Sequence, residues 1–309
     1  MSKNSNEIQN NGLLWVNIAK QEQKQLLALQ KRFNLNDQDI QECLPPFQRP
    51  KFVKHDGYYF MVLHFPVFNK TTRRLGFTEI DFFLNGQSLI TIHDNSLPVI
   101  ENLFNECQKN GEAKDKYFQG TAAQLFFELL SRLLDSIFPI LLHVNDDINS
   151  VDKILFTKMP DRKMAEEILR LKTNVVTFRR TVQGHKTVLE RLISSGGRDL
   201  NLQSYQSYIN STREHVNEVW NTLESQKESV DALHETNESV VGLRMNEIMR
   251  TLTIISVITF PLTLVATLFS VGAQGTPLIQ DAFGFWKVLG LIASGALLMF
   301  LVFKKKKWM

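Results

Sequence analysis

The chain has 309 residues, 43% of them hydrophobic and 22% charged, with a formal net charge of +3. Lys304, Lys305, Lys306 and Lys307 stand together, so the remainder is close to neutral and no nucleic-acid partner is expected. Two cysteines, Cys43 and Cys107, give neither a disulfide framework nor a CxxC metal site, and read as buried thiols in a reducing compartment.

Residues 1–12 are polar and lack a core-forming pattern, which predicts a flexible N-terminus. Residues 1–20 contain no basic start followed by an apolar run, so no secretory signal peptide is expected. From 13 to 118 the pattern is that of an α/β domain. LLWVNI (13–18) predicts a strand, and 20–34 an amphipathic helix with Leu26, Leu27, Leu29 and Phe33 on its apolar side. A short helix is expected from Asp37 to Leu44, stopping before Pro45-Pro46. Tyr58 to Phe68 is rich in aromatic and β-branched residues and predicts a strand. TEIDFFL and QSLITIHD flank Asn85-Gly86, which predicts a hairpin around a type I′ turn. Pro98 to Lys109 predicts a helix on the sheet.

After Gly120 the chain turns helical, and 119–249 reads as a stalk of long helices. One helix is expected from Thr121 to Phe156, disturbed at Pro139. A break follows at Lys158 to Asp161, then a helix from Arg162 to Ser194 ended by Gly196-Gly197. From Asp199 to Phe260 there is no proline and the only glycine is Gly242. Unbroken, that helix would cover about 70 residues, or roughly 105 Å at 1.5 Å per residue. Leu202, Tyr205, Tyr208, Val216, Trp220, Leu223, Val230 and Leu233 form a narrow apolar stripe among polar positions, suited to an oligomer or bundle.

Residues 250–309 predict a membrane domain. TLTIISVITFPLTLVATLFSV (251–271) is uncharged and long enough to cross a hydrocarbon core of about 30 Å. Pro261 removes one helix hydrogen bond, and Thr259 and Thr263 stand near enough to compensate. A second apolar stretch runs from 285 to 303, with Lys287 in its first turn and the small residues Gly290, Ser294 and Gly295 for close helix contact. Arg244, Arg250 and the Lys304–Lys307 run flank the two spans, and the connecting loop has no Lys or Arg. Both chain ends are therefore expected in the cytoplasm. No nucleophile elbow, phosphate loop or HExxH occurs, His64 and His93 read as satisfied strand residues, and no enzyme is expected.

An α+β cytosolic domain with long stalk helices, a two-helix transmembrane hairpin and a Lys-rich end together resemble the CorA-type metal ion transporter family. The likeness covers almost the whole chain. NEIMRTLTIISVITFPLTLVATLF (246–269) resembles that family's pore helix at Asn246, Met249, Leu252-Thr253, Pro261-Leu262-Thr263 and Ala266; QRPK (48–51) and KKKKW (304–308) match as well. The resemblance implies a funnel-shaped homopentamer in the cytoplasmic membrane, its first span lining a pore and its second facing lipid. It implies passive passage of Mg2+, Co2+, Ni2+ or Zn2+, no resident cofactor, and Mg2+ or Zn2+ as transported or regulatory ion. Intracellular divalent ions close the pore by binding between cytosolic domains in that family.

The family's Gly-Met-Asn signature is absent; Ser270, Val271 and Gly272 stand in its place. In the loop, the positions where relatives carry acids align with Gln274 and Leu278, Pro277 is retained, and Asp281 is the sole acid. The resemblance places Asn246, Met249, Thr253, Ser256, Phe260, Thr263, Thr267 and Ser270 on a wetted face, with Met249, Leu252 and Phe260 as apolar rings able to gate by dewetting. The bland alternative is that these hydroxyls only pack helices. For regulation, Glu42 falls at an interface-carboxylate position, with Ser211 where its partner would be and His215 one turn on. A solvated Glu42 and a stalk histidine are the alternative. Glu235 and Glu238 either ring the cytosolic pathway or face solvent. The absent signature leaves two further function classes open: a less selective ion channel and a non-conducting membrane scaffold.

Overall fold

The computed structural model describes residues 6–19, 22–155, 162–196, 199–271 and 283–306. They fall into two compact units, Met1–His234 and Glu235–Met309.

The first unit is built on a six-stranded sheet. Its strands are β1 (Glu7–Asn10), β2 (Leu13–Ala19), β3 (Lys51–His55), β4 (Tyr58–Asn69), β5 (Arg74–Leu84) and β6 (Ser88–His93), in the spatial order β1-β2-β6-β5-β4-β3. Only β2 and β6 pair in parallel; the other neighbours are antiparallel. Successive side chains point to opposite faces. Trp15, Met61 and Phe82 therefore enter one core while their neighbours Val16, Phe60 and Phe83 enter another. The second, smaller core is roofed by α1 (Gln23–Phe33) and α2 (Asp37–Glu42), through Leu26, Leu29 and Ile40. The first core continues into α3 (Pro98–Lys109), α4 (Gly111–Tyr117), α5 (Ala122–Asp135), α6 (Phe138–Leu155) and α7 (Arg162–Ser195).

The polar N-terminal stretch is not featureless: β1 lies within it and buries Ile8, 4% exposed. Its hairpin to β2 turns at Asn11-Gly12, both at positive φ (49° and 80°), which is the backbone a type I′ turn demands. That turn was expected at Asn85-Gly86, where the hairpin exists but the turn differs. Leu84 pairs with Leu89, leaving four loop residues, and neither Asn85 nor Gly86 has positive φ. The Asn85 side chain holds the loop instead, accepting from the backbone N–H of Gln87 (2.9 Å) and Ser88 (2.6 Å).

The expected helix from Thr121 to Phe156 is two helices, broken between Asp135 and Phe138. Pro139 sits in the first turn of α6, where its missing N–H leaves no helix bond unmade. The helix expected from Asp199 begins later. Asn201 takes a left-handed backbone (φ 50°), Leu202–Tyr205 form a 3-10 turn, and α8 runs from Gln206 to Ser270. Within the first unit, Ile209, Val216, Val219, Leu223, Val230 and Leu233 of α8 join the core of the same chain. The apolar stripe is thus covered intramolecularly, and buried Gln226 donates to the Leu141 carbonyl at 2.8 Å.

Helix α7 is fastened to the sheet by polar contacts. Asn174 accepts the Leu75 N–H (3.0 Å) and donates to the Arg73 carbonyl (2.9 Å). His185 donates from Nε2 to the His64 carbonyl on β4 (2.6 Å). Gly184 lets the segment before β3 come close: a Cβ there would lie 2.3 Å from Pro50 Cβ.

Candidate pore helix and regulatory residues

In the second unit the apolar end of α8 is followed by α9 (Gly284–Lys305). Both are long and apolar enough to cross a membrane, by length and composition. Their contact is close: a Cβ on Gly295 would meet Leu262 Cδ2 at 3.3 Å. Ile254 is buried, and Ile258, Leu262, Val265 and Phe269 are half-buried, at the three- and four-residue steps of one helix face. On α9 Gly284 is buried, and Val288, Ile292, Gly295, Ala296, Met299 and Phe303 are half-buried. Of the three expected contact residues only Gly295 is among them; Gly290 has nothing within 4 Å, and Ser294 is exposed.

The polar stripe lies on the other side of α8. At 100° per residue, the centre of Asn246, Met249, Leu252, Thr253, Ser256, Phe260, Thr263, Thr267 and Ser270 is about 170° from the centre of the shielded face. All are exposed except half-buried Ser256, and Phe260 is 74% exposed. The threonine hydroxyls bend back onto their own helix. Thr253 donates to the Met249 carbonyl (2.7 Å), Thr263 to Thr259 (2.8 Å) and Thr267 to Leu264 (2.9 Å). A hydroxyl that has spent its proton inward presents oxygen lone pairs outward, so the stripe offers acceptors. Thr263 therefore does not serve the Val257 carbonyl, the one whose usual partner Pro261 cannot supply.

Ser270 is the last residue of α8 and Val271 is exposed beside it. Gly272, Gln274, Pro277, Leu278, Asp281, Lys307, Trp308 and the break expected at 158–161 lie outside the described residues. Glu235 and Glu238 are exposed on α8.

The regulatory candidates do not meet within one chain. Glu42 ends α2, over the smaller core; it pairs with Lys51 Nζ and accepts from Gln38 Nε2 (3.1 Å). Ser211 is exposed on α8, over the larger core, and His215 Nδ1 there stands 3.4 Å from Asp135 Oδ1 with its ring against Phe138. The sheet separates the two places. No group of three or more His, Cys, Asp or Glu side chains suited to a metal occurs among the described residues. Lys51 and Asp135 carry no local signal of these pairings, because both are tertiary.

Beneath α2 lies a polar cluster that sequence reasoning missed. Asp39 accepts from Tyr58 Oη (2.7 Å) and stands 2.8 Å from His55 Nε2. Asp81 is wholly buried, and burial, reinforced by the Glu79 charge, holds its carboxyl well above the ordinary range. Burial likewise pushes the Cys43 thiol up and the Lys51 ammonium down. His93 and His185 are pushed down to about 4 by burial.

A soluble α+β unit whose last helix leads into an apolar two-helix hairpin defines the two-span class of membrane protein. The family described as CorA-like Mg2+ transporter protein matches residues 10–305, and the chain belongs to that family. It is a family of transporters, not enzymes. The putative metal ion transporter YfjQ of Bacillus subtilis (strain 168) is 26% identical, over 95% of this chain and 89% of that protein. The cobalt/magnesium transport protein CorA of Thermotoga maritima is 24% identical, over 96% of this chain and 83% of the relative. The structure of the CorA magnesium transporter from Methanocaldococcus jannaschii superposes with a TM-score of 0.83 at 18% identity, covering 98% of this chain and 93% of that one.

Proposed function

We propose that the chain is one subunit of a homopentameric CorA-type channel that passes divalent cations, among them Mg2+, Co2+, Ni2+ or Zn2+, across the cytoplasmic membrane. Residues 13–249 are its cytosolic part, 250–309 its membrane part, and both termini are cytoplasmic. The observation that carries this reading is the stripe on α8. It is exposed, dotted with hydroxyls, and turned away from the α9 partner. In lipid such a face is poorly placed; around a shared axis it becomes the wall of a water-filled path. Hydrated Mg2+ surrenders its waters reluctantly and presents their hydrogens outward, so a wall of acceptor oxygens suits it. Met249, Leu252 and Phe260 form apolar rings along that path, and Ser270, with its neighbour Val271, replaces the signature at the outer end.

Glu42, Ser211 and His215 come together only between copies. A divalent ion there has to displace Lys51 from Glu42, which weakens the site for Mg2+ and, with His215 present, favours Zn2+. The replaced signature favours a second reading, a less selective channel or a scaffold. Ion flux into liposomes holding the purified protein separates them. Divalent entry blocked by cobalt hexaammine is the expected result. Equal passage of K+ supports the less selective channel, and no flux under any gradient supports the scaffold.

A further inference from the structure

The first unit holds a cavity of about 580 Å3 between α7 and the segment leading into β3. Its volume is that of a small-molecule site. Arg49 comes from the segment before β3 and Arg180 from α7, and both line the same cavity. Among the described residues no carboxylate is on its walls. Neither guanidinium has an ion pair or hydrogen bond among the described residues, whereas Arg179, next along the chain, pairs with Glu224 at 2.5 Å. Glu79 stands behind the wall: it is 1% exposed, accepts the Gln48 N–H and lies 3.5 Å from His64 Nε2, and it pairs with neither guanidinium.

The placement is built into the helix. Thr177, Arg180, Gly184 and Thr187 recur at three- and four-residue steps and share a face of α7. Gly184 admits Pro50 against that face, and this brings the neighbouring Arg49 to the cavity. Phe77, 40% exposed, supplies an aromatic wall, stacked on His64 with centroids 4.6 Å apart. Two guanidiniums without an ion pair among the described residues raise the local potential and suit a polyanion, and the exposed part of the Phe77 ring suits a flat partner.

We infer that this cavity binds an organic phosphate of nucleotide size, its phosphates on Arg49 and Arg180 and its ring against Phe77. The site is independent of any ion passage. Titration calorimetry of the full-length protein in detergent with EDTA tests it, using ATP, pyrophosphate and adenosine as probes. ATP is expected to bind, pyrophosphate less tightly and adenosine least. R49Q and R180Q, both at exposed positions, each weaken ATP by about tenfold or more. R213Q, which removes the same charge from exposed α8 surface, leaves binding unchanged. Failure of ATP to bind at millimolar concentration, unchanged affinity in both cavity variants, or an equal loss in R213Q would overturn the inference. So would a loss of subunit association in R49Q and R180Q without nucleotide binding, which would assign the cavity to an acidic surface of a second copy.

Discussion

Replacing His185 by glutamine should make the fold less sensitive to acid. His185 is 3% exposed, its Nε2 bound to the His64 carbonyl and its ring 4.8 Å from that of Phe65. Burial lowers its pKa from 6.5 to about 4, so the folded protein keeps it neutral where the unfolded chain protonates it. The stability this provides is present above pH 6.5 and is lost as pH falls through 6.5 towards 4. Between pH 7 and pH 4.5 the loss from this one residue is about 2.5 kcal/mol. His93, also lowered to about 4, adds a similar loss, while Asp81, raised by burial, acts in the opposite direction. Glutamine retains an N–H for the His64 carbonyl and cannot be protonated. The difference in unfolding free energy between wild type and H185Q should therefore shift by about 2.5 kcal/mol in the variant's favour from pH 7 to pH 4.5. Denaturant unfolding of the solubilised full chain, followed by tryptophan fluorescence, measures it. A difference that stays constant across that range would refute the reasoning.

Phe260 is exposed within the chain, so F260A leaves no cavity behind; transport assays should show faster cation entry at an unchanged thermal midpoint, and slower entry would speak against an apolar ring there. Adding a side chain at Gly184 forces Pro50 away from α7, and G184V should lose about 1–3 kcal/mol in denaturant unfolding. G295L should lower the melting midpoint in detergent because Leu262 occupies the space, while G290L, with nothing within 4 Å, should leave it unchanged.

The sheet was legible wherever alternation ran long enough, as in β4 and β5, and the two membrane-length helices were legible because so long an apolar run has few other uses. β1 escaped because four residues with one buried side chain, Ile8, carry no readable period. The two Asn-Gly pairs were ambiguous locally; register chose between them, since Leu84 pairs with Leu89 while Asn10 pairs with Leu13. The start of α8 was misplaced because the left-handed Asn201 sits in a stretch with neither proline nor glycine. At the site, periodicity found the stripe on α8, and the structure shows α9 on the opposite side of that helix. Glu42 with Lys51, and His215 with Asp135, were invisible because tertiary contacts set each pair. Arg49 and Arg180 looked like ordinary solvated charges for the same reason; Gly184, inside a long helix, was the only local sign of a close approach.

A channel of this kind requires the hydroxyl stripe of α8 to face water. A cysteine placed at Thr263 in the full-length protein in liposomes tests it with a membrane-impermeant, positively charged thiol reagent, the native Cys43 and Cys107 being wholly buried. T263C should react and its cation flux should fall on modification, while I258C, on the side shielded by α9, should stay unmodified. A T263C that resists the reagent while L264C or I258C reacts would contradict the account.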